Sequence, residues 1–360
     1  KKIGSDFTKL DSKSKKFNKK YRNRISNSSS PKLIFESLVE IEKIYEGLGK
    51  ISSYASLLFA ADTDNEKYSK FYQNVSERSS DIRKNLIFYF LSWNKISEKR
   101  AKEIYSNPIL RKYSHLLKSE RKYKNFMLTE PEEKILDKKS ITSSKAFNRL
   151  FDQTLNNLKF EMKLKNKISV LTETEVLSLL YDKDRKIRKS AAKSLTIGLK
   201  SERKLLAFIF NQILTDSKIT NEIRGHKTPM SARNLSNEIS EKTVQALIDT
   251  CNKYNKVPIR YYKLKSKILK IKDFADYDRY APLGQSNRKF SFSDAKKIVL
   301  DSFNEFSPQM GKVAELFFDN NWIDYKLRKG KRGGAFSHSC VPSVHPYILM
   351  NFTGKIRDVM

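Results

Sequence analysis

Only three prolines, Pro31, Pro108 and Pro131, interrupt the first two hundred residues of this 360-residue chain. Between them the apolar side chains recur at helical spacing. Proline removes a backbone donor and clashes inside a helix, so long stretches without it, patterned at 3.6 residues per turn, favour helices. After SNSSSP, Ser30 is suited to cap a helix and Pro31 to occupy its first position. Leu38, Ile41, Tyr45, Leu48, Ala55 and Phe59 then fall on one face, weakened locally by Gly47 and Gly49. The polar turn ADTDNEK (residues 61–67) breaks the pattern, and a second periodic run continues through Trp93. The expected result is a long antiparallel helical hairpin.

Two further helix starts carry capping boxes. LTEPEEKIL sets Thr129 three residues before Glu132, and LTETEVLSLL sets Thr172 three before Glu175. DKDRKIRKSAAKSL reads as a continuation of the second helix. Pro229, Pro258, Pro282 and Pro308 shorten the later elements, and IRGHKTPMSARN and DRYAPLGQSNRKF read as loops. Helix is expected throughout until the last segment. There, GAFSHSCV and HPYILMNF hold β-favouring residues between turn signals and read as two short strands with a proline-containing connection. An edge strand of such a sheet is able to pair with an extended peptide.

Hydrophobic content of 39% allows a sizeable core. No apolar run approaches the roughly 18 residues that span a bilayer, and the strongest, LIFYFL (residues 86–91), is a core stripe. The basic start lacks the apolar region of a secretory signal; it also lacks an initiator Met, which leaves room for an upstream piece. Two distant cysteines, Cys251 and Cys340, suggest a reducing, cytoplasmic compartment rather than a disulfide framework. The net charge of +32 comes from lysines scattered among Glu and Asp, with arginine scarcer. No nucleic-acid-binding motif accompanies it, so the charge reads as solvated helix faces with no specific nucleic-acid partner.

Residues 330–360 concentrate the unusual chemistry: two of the four histidines, one cysteine and four of the eleven glycines. His338, Cys340 and His345 form an H-x-C-x4-H cluster, but no second cysteine pair completes a zinc set. A Cys–His nucleophile needs thiolate and imidazole within hydrogen-bond reach, and the neighbouring sequence matches no cysteine-protease signature. GKRGG is not a phosphate loop, because it lacks the G-K-[ST] ending and precedes a strand. Gly333 and Gly334 read instead as positions that admit another backbone at close range. His115 and His226 read as structural histidines.

Several stretches, in order, resemble the oligoendopeptidase F family of zinc peptidases, relatives of thimet oligopeptidase. They are SSYASLLFAADTDN, LTEPEEKILDKK, AFNRLFDQT, LTETEVLSLLYDKDRKIRKSAA, NQILTDSKI, RYYKLKSKIL, YDRYAPL, WIDYKLRKGKRGGAF and VPSVHPYILMNFTGKIRDVM. The resemblance runs from about Leu33 to Met360. It implies a mainly α, multi-helical two-lobed peptidase fold, with the long hairpin near the start and a small β-sheet near the end. The implied divisions are 1–110 for the hairpin segment, 111–170 for an oligoendopeptidase F-type helical domain, and 171–360 for the first part of a zinc-peptidase catalytic domain.

The departure from the family concerns the metal. H-E-x-x-H, which sets two zinc-binding histidines on one helical face with a general-base glutamate between them, is absent from the chain. The resemblance therefore implies a truncated chain whose zinc ligands lie downstream of Met360, with DVM (residues 358–360) opening the zinc helix. No catalytic or metal residue is carried over. The implied substrate-binding residues are Gly334, Ala335 and Phe336 on an edge strand, with backbone donors at Gly334 and Ala335. His345 and Tyr347 are added, touching substrate or supporting the zinc site, and Val344 to Asn351 would build the cleft floor. The implied function is a cytoplasmic metalloendopeptidase acting on oligopeptides through a zinc-activated water, the 360-residue chain alone being inactive and exposing apolar surface. The alternatives are a non-catalytic peptide-binding or scaffold protein that lost the metal helix, and a basic nucleic-acid binder.

Overall fold

A computed structural model describes residues 2–164, 167–284, 289–355 and 358. In chain order the helices of the first half are α1 (Lys2–Tyr21), α2 (Pro31–Ala61), α3 (Glu66–Arg83), α4 (Phe88–Lys95), α5 (Glu98–Tyr105), α6 (Ser114–Arg121), α7 (Glu130–Lys139) and α8 (Ser144–Asn157). A hairpin, β1 (Phe160–Leu164) and β2 (Lys167–Leu171), precedes α9 (Glu173–Leu179), α10 (Arg185–Ser201), α11 (Arg203–Arg224), α12 (Ser231–Ser236), α13 (Glu241–Lys253) and α14 (Lys256–Ile268). Helices α15 (Phe292–Phe306) and α16 (Pro308–Asp319) lead into β3 (Ile323–Asp324), β4 (Phe336–His338) and β5 (Tyr347–Leu349). The fold is mainly helical, as expected. Among the described residues no helix is long and apolar enough to cross a membrane.

The chain forms two compact units. The first comprises Lys1–Ser56, Lys70–Arg149 and Phe208–Thr250. Its core gathers Phe7, Leu10, Phe17 and Tyr21 of α1 with Ile34, Leu38, Ile41, Ile44, Leu48, Ile51 and Ala55 of α2, closed by Tyr89, Trp93 and Leu117. Ser30 caps α2 as expected, its Oγ accepting the Leu33 N–H at 3.2 Å. Tyr45 turns outward and Ile44 takes the core position beside it. Gly47 has a packing reason: a Cβ there would lie 2.6 Å from the Leu10 side chain, so its absence lets α1 approach closely. The second periodic run divides into α3 and α4 instead of reaching Trp93 unbroken. Asn85, in the break, gives its carbonyl to Asn18 Nδ2 (2.7 Å) and its own Nδ2 to Ser14 Oγ (3.0 Å), commitments to α1 that a continuous helix would forgo.

The second unit comprises Leu57–Ser69, Leu150–Ala207 and Cys251–Met360. Here the expectation of helix before the last segment fails at the β1–β2 hairpin. The pairs Phe160↔Leu171 and Met162↔Ser169 set its register. In FEMKL, buried Phe160 and Met162 alternate with exposed Glu161 and Lys163, a period of two legible in the sequence. DKDRKIRKSAAKSL is not one helix with what precedes it either. Helix α9 stops at Leu179, and Asp184 caps α10 by accepting the Lys186 N–H at 2.8 Å. The Thr172–Glu175 box forms as expected, with Thr172 N donating to Glu175 Oε2 at 2.8 Å and Glu175 N to Thr172 Oγ1 at 3.4 Å.

Helix α10 packs on the hairpin through Gly198, whose missing Cβ would lie 2.5 Å from the fully buried Phe160 ring. Gly198→Ala is therefore expected to destabilise this unit by about 1–3 kcal/mol despite alanine's better helix propensity. A urea titration that finds the variant more stable than the parent contradicts this packing.

Candidate functional site

The last segment folds as a three-stranded sheet of order β3-β5-β4, β5 running parallel to β3 and antiparallel to β4. The two expected strands are β4 and β5, and β3 is an addition from WIDYK. Its pairing with β5 extends past the strand ends through Ile348 N to Trp322 O (2.9 Å), Met350 N to Asp324 O (2.9 Å) and Phe352 N to Tyr325 O (3.0 Å). Among the described residues β4 is an outer strand.

Register sorts the candidate residues by face. Phe336 sits opposite Leu349 and His338 opposite Tyr347, so these four share one face; Ser337 and Ile348 point to the other. On that second side, Ile323 and Ile348 help line an apolar cavity of about 650 Å³ with Phe292, Phe303, Val313 and Phe317 of α15 and α16. Of the predicted binding residues, Phe336 and Tyr347 lie on the first face. His345 precedes β5, stacked flat on Trp322 at 3.5 Å and edge-on to Tyr347 at 4.5 Å. Gly334 and Ala335 fall just before β4 instead of within it. Gly334 has φ +74, and its carbonyl accepts Asn351 Nδ2 at 2.9 Å, as does that of Arg332. Asn351 thus closes the loop onto β5.

Lys331 pins this loop beneath the sheet. Its fully buried ammonium lies 2.9 Å from both Asp324 O and Oδ1, 3.0 Å from Lys326 O and 2.7 Å from Met350 O. Burial lowers its pKa, opposed by the Asp324 carboxylate. Burial pushes Asp324 up, and hydrogen bonds from Arg328 and Lys331 more than reverse this, leaving it below the ordinary value. The turn after α2 is latched to the same loop. Thr63 N and Oγ1 donate to Gly330 O at 2.7 and 3.0 Å, and Arg332 N donates to Ala60 O at 2.9 Å. A Cβ on Gly330, which has φ +76, would meet Asp62 Oδ1 at 2.4 Å. Two carboxyls that sequence reasoning missed flank this loop. Burial raises Asp152, against Arg332 3.4 Å away, and raises Glu173, whose Oε2 faces Gly333.

Strand β4 ends inside the histidine–cysteine cluster, at His338. Cys340, two residues beyond the end of β4, takes a left-handed φ of +56. Its backbone N–H donates to His338 Nδ1 at 3.0 Å. His115 pairs with Glu238 (3.0 Å), and His226 stacks on Phe126 (4.1 Å). Among the described residues no three His, Cys, Asp or Glu side chains are grouped to hold a metal ion. The residues present do not fit the zinc that the resemblance implies, and no chemical step is assigned through it. Of the expected DVM helix start, Val359 and Met360 lie outside the described residues.

Two of the resembling stretches meet in a buried clamp with no catalytic geometry. In YDKDRKIRKSAA, Arg185 and Arg188 converge on Asp278 of YDRYAPL, which is wholly buried. Arg188 Nη2 donates to Asp278 Oδ1 at 2.7 Å, Arg185 Nη2 to Oδ2 at 3.0 Å, and Ala275 N to Oδ2 at 3.0 Å. Tyr181 stacks on Tyr280 at 4.5 Å beside it.

Comparison with known proteins gives these features a common setting. The profile described as "Peptidase family M3" matches residues 178–360, and that described as "Oligopeptidase F" matches 93–160. Oligopeptidase PepF of Bacillus subtilis (strain 168) is 25% identical over 354 residues, covering 94% of this chain and 51% of that protein. An oligoendopeptidase F homolog of Borreliella burgdorferi is 29% identical over 356 residues, covering 97% of this chain and 58% of that protein. The chain thus spans about half the length of the curated relatives it matches. The crystal structure of oligoendopeptidase-F from Enterococcus faecium superposes with a TM-score of 0.71 at 18% identity, covering 89% of this chain and 66% of that one. With half of its length matched by the family's own profile and its fold shared with a solved oligoendopeptidase F, the chain belongs to peptidase family M3, with an oligopeptidase F region ahead of the M3 match.

Proposed function

We propose that this chain is the peptide-holding part of a zinc-dependent endopeptidase that hydrolyses short oligopeptides in the cytoplasm. The zinc ligands belong, in this reading, to sequence beyond these 360 residues. The division into 1–110, 111–170 and 171–360 is proposed with it, the last being the incomplete catalytic domain. The observation that supports the reading most is an M3 match whose final part is a small sheet with β4 as an outer strand. A peptide laid along β4 hydrogen-bonds through its backbone, which gives affinity with little side-chain demand. Gly334 and Ala335 would supply donors at the strand entrance, Phe336 the strand itself, and His345 and Tyr347 the aromatic wall for alternate side chains. A scaffold or peptide-binding protein without catalysis would use the same edge, and the lack of a metal-donor cluster among the described residues favours keeping that reading in the test.

The test is direct. A short fluorescent peptide should bind the 360-residue chain, and Gly334→Val, which forces a β-branched residue into φ +74, should weaken binding at least roughly fivefold without changing the helical signal. Unchanged affinity would remove the edge-strand assignment. Zinc titration should show no stoichiometric site, and a quenched peptide should stay uncut. Turnover abolished by His338→Ala or His345→Ala would put the metal on this chain and overturn the reading.

A further inference from the structure

The turn that ends α2 does more than reverse the chain. Thr63, in ADTD (residues 61–64), is 1% exposed, and each of its hydrogen-bonding groups is committed. Its N–H and Oγ1 both donate to Gly330 O, Oγ1 accepts Asn156 Nδ2 at 2.7 Å, and its carbonyl accepts Gln153 Nε2 at 3.4 Å. Two further bonds tie the loop to the same turn, Arg332 N to Ala60 O and Arg328 Nε to Ala61 O (3.2 Å). Asp152 of α8, beside Gln153 and Asn156, holds Arg332, whose guanidinium carbon lies 5.7 Å from the centre of the Phe336 ring on β4. All of these residues belong to the second unit.

The β4–β5 register shows what this loop delivers. Ile348 N donates to Trp322 O, so Ile348 turns its backbone groups toward β3, and its neighbours Tyr347 and Leu349 turn theirs toward β4. They pair there with His338 and Phe336, which leaves Ser337, opposite Ile348, with its N–H and C=O directed away from β5. An extended peptide would meet those groups first. They stand three residues beyond Gly334, at the end of a loop that also contains Gly330 and Gly333. Glycine loses more backbone freedom than any other residue when it is ordered, so a loop left to itself would charge that ordering to binding. A grip from the turn after α2, made before any peptide arrives, removes it.

We infer that Thr63 is a positioning residue for the peptide-holding strand: with Asn156 and Asp152 it fixes the 330–334 loop and, through the loop, the outward backbone groups of β4. This rests on the edge-strand reading above and adds to it a side chain that touches no peptide. The branched shape alone is insufficient, because the hydroxyl both donates to Gly330 O and accepts from Asn156.

The probes are a short fluorescent peptide and its twin methylated at alternate backbone nitrogens, which cannot complete a ladder. The 360-residue chain should bind the first at least roughly fivefold more tightly than the twin, the worth of about one hydrogen bond. Thr63→Val should lower affinity for the unmethylated peptide until the two bind alike, and leave the twin's affinity unchanged. Thr63→Ser keeps the hydroxyl and should restore the preference. Asp152→Asn, at a half-buried position, should narrow the preference in the same direction by a smaller factor, and it serves as the test should Thr63→Val fail to fold. Hydrogen exchange should rise across residues 330–338 in both variants. A parent chain that binds neither peptide, or both equally, sinks the edge-strand reading and this proposal with it. A parent that discriminates beside variants that discriminate as well, or that lose affinity for both peptides by the same factor, overturns the positioning role alone.

Discussion

Replacing Asp278 with alanine is expected to destabilise the second unit by about 3–5 kcal/mol, the usual range when one partner of a buried ion pair is removed. The size follows from what stays behind. Arg188 is 2% exposed, and two of its other hydrogen bonds go to the carbonyls of Asp182 and Lys183, so its charge would remain buried without a counter-ion. Asp278→Asn should fall between alanine and the parent, because it keeps the shape and an acceptor but not the charge. The loss should also depend on pH. Burial alone would raise the Asp278 carboxyl, and hydrogen bonds from Arg185, the Ala275 N–H and Arg188 more than reverse this, leaving it below its ordinary value. A carboxyl lowered on folding stabilises above its unfolded pKa and loses that contribution as pH falls through the folded value. The difference between parent and variant should therefore be full at neutral pH and shrink below pH about 4. Urea titrations monitored by circular dichroism at pH 7 and pH 3 measure both. A neutral-pH loss under about 1 kcal/mol would mean that water screens the clamp as it screens a surface pair.

Lys331→Ala is expected to cost about 3 kcal/mol, concentrated in the terminal sheet. The ammonium serves the carbonyls of Asp324, Lys326 and Met350 together with the Asp324 carboxylate, and all four lose a donor at once. Lys331→Met should recover little, since it fills the space and supplies no N–H. The signature is local. Hydrogen exchange should rise across residues 322–325 and 347–352, while the core around Trp93 keeps its protection. If the edge strand holds peptide, affinity for the fluorescent peptide should fall with the sheet. An exchange pattern identical to the parent would show that the β3–β5 ladder stands without Lys331.

Much of the fold was legible because its signals are local. Proline spacing and apolar period marked α2, the Ser30 cap sits where the residue types require it, and the threonine–glutamate box at Thr172 forms. Strands β4 and β5 were visible as short β-favouring runs between turn residues. The misses have physical causes too. FEMKL and KISVL are short and rich in charge, so their alternation was weak beside the helical pattern around them. The helix breaks at Asn85 and before Asp184 come from side-chain commitments to backbone, one of them 67 residues away.

Sequence alone determined the class of architecture and the family resemblance, since both rest on residue order and on spacings of a few positions. It also excluded an H-E-x-x-H zinc set within these 360 residues. It could not say that YDKDRKIRKSAA and YDRYAPL are two halves of one buried salt bridge, nor that GKRGG is latched to ADTD. Nor could it say that Phe336, His338 and Tyr347 share a face while His345 lies flat on Trp322. Those depend on contacts between residues as many as 267 positions apart. Periodicity reports which side of an element avoids water; only packing decides what meets that side, because burial is completed by whichever partner the whole chain brings there.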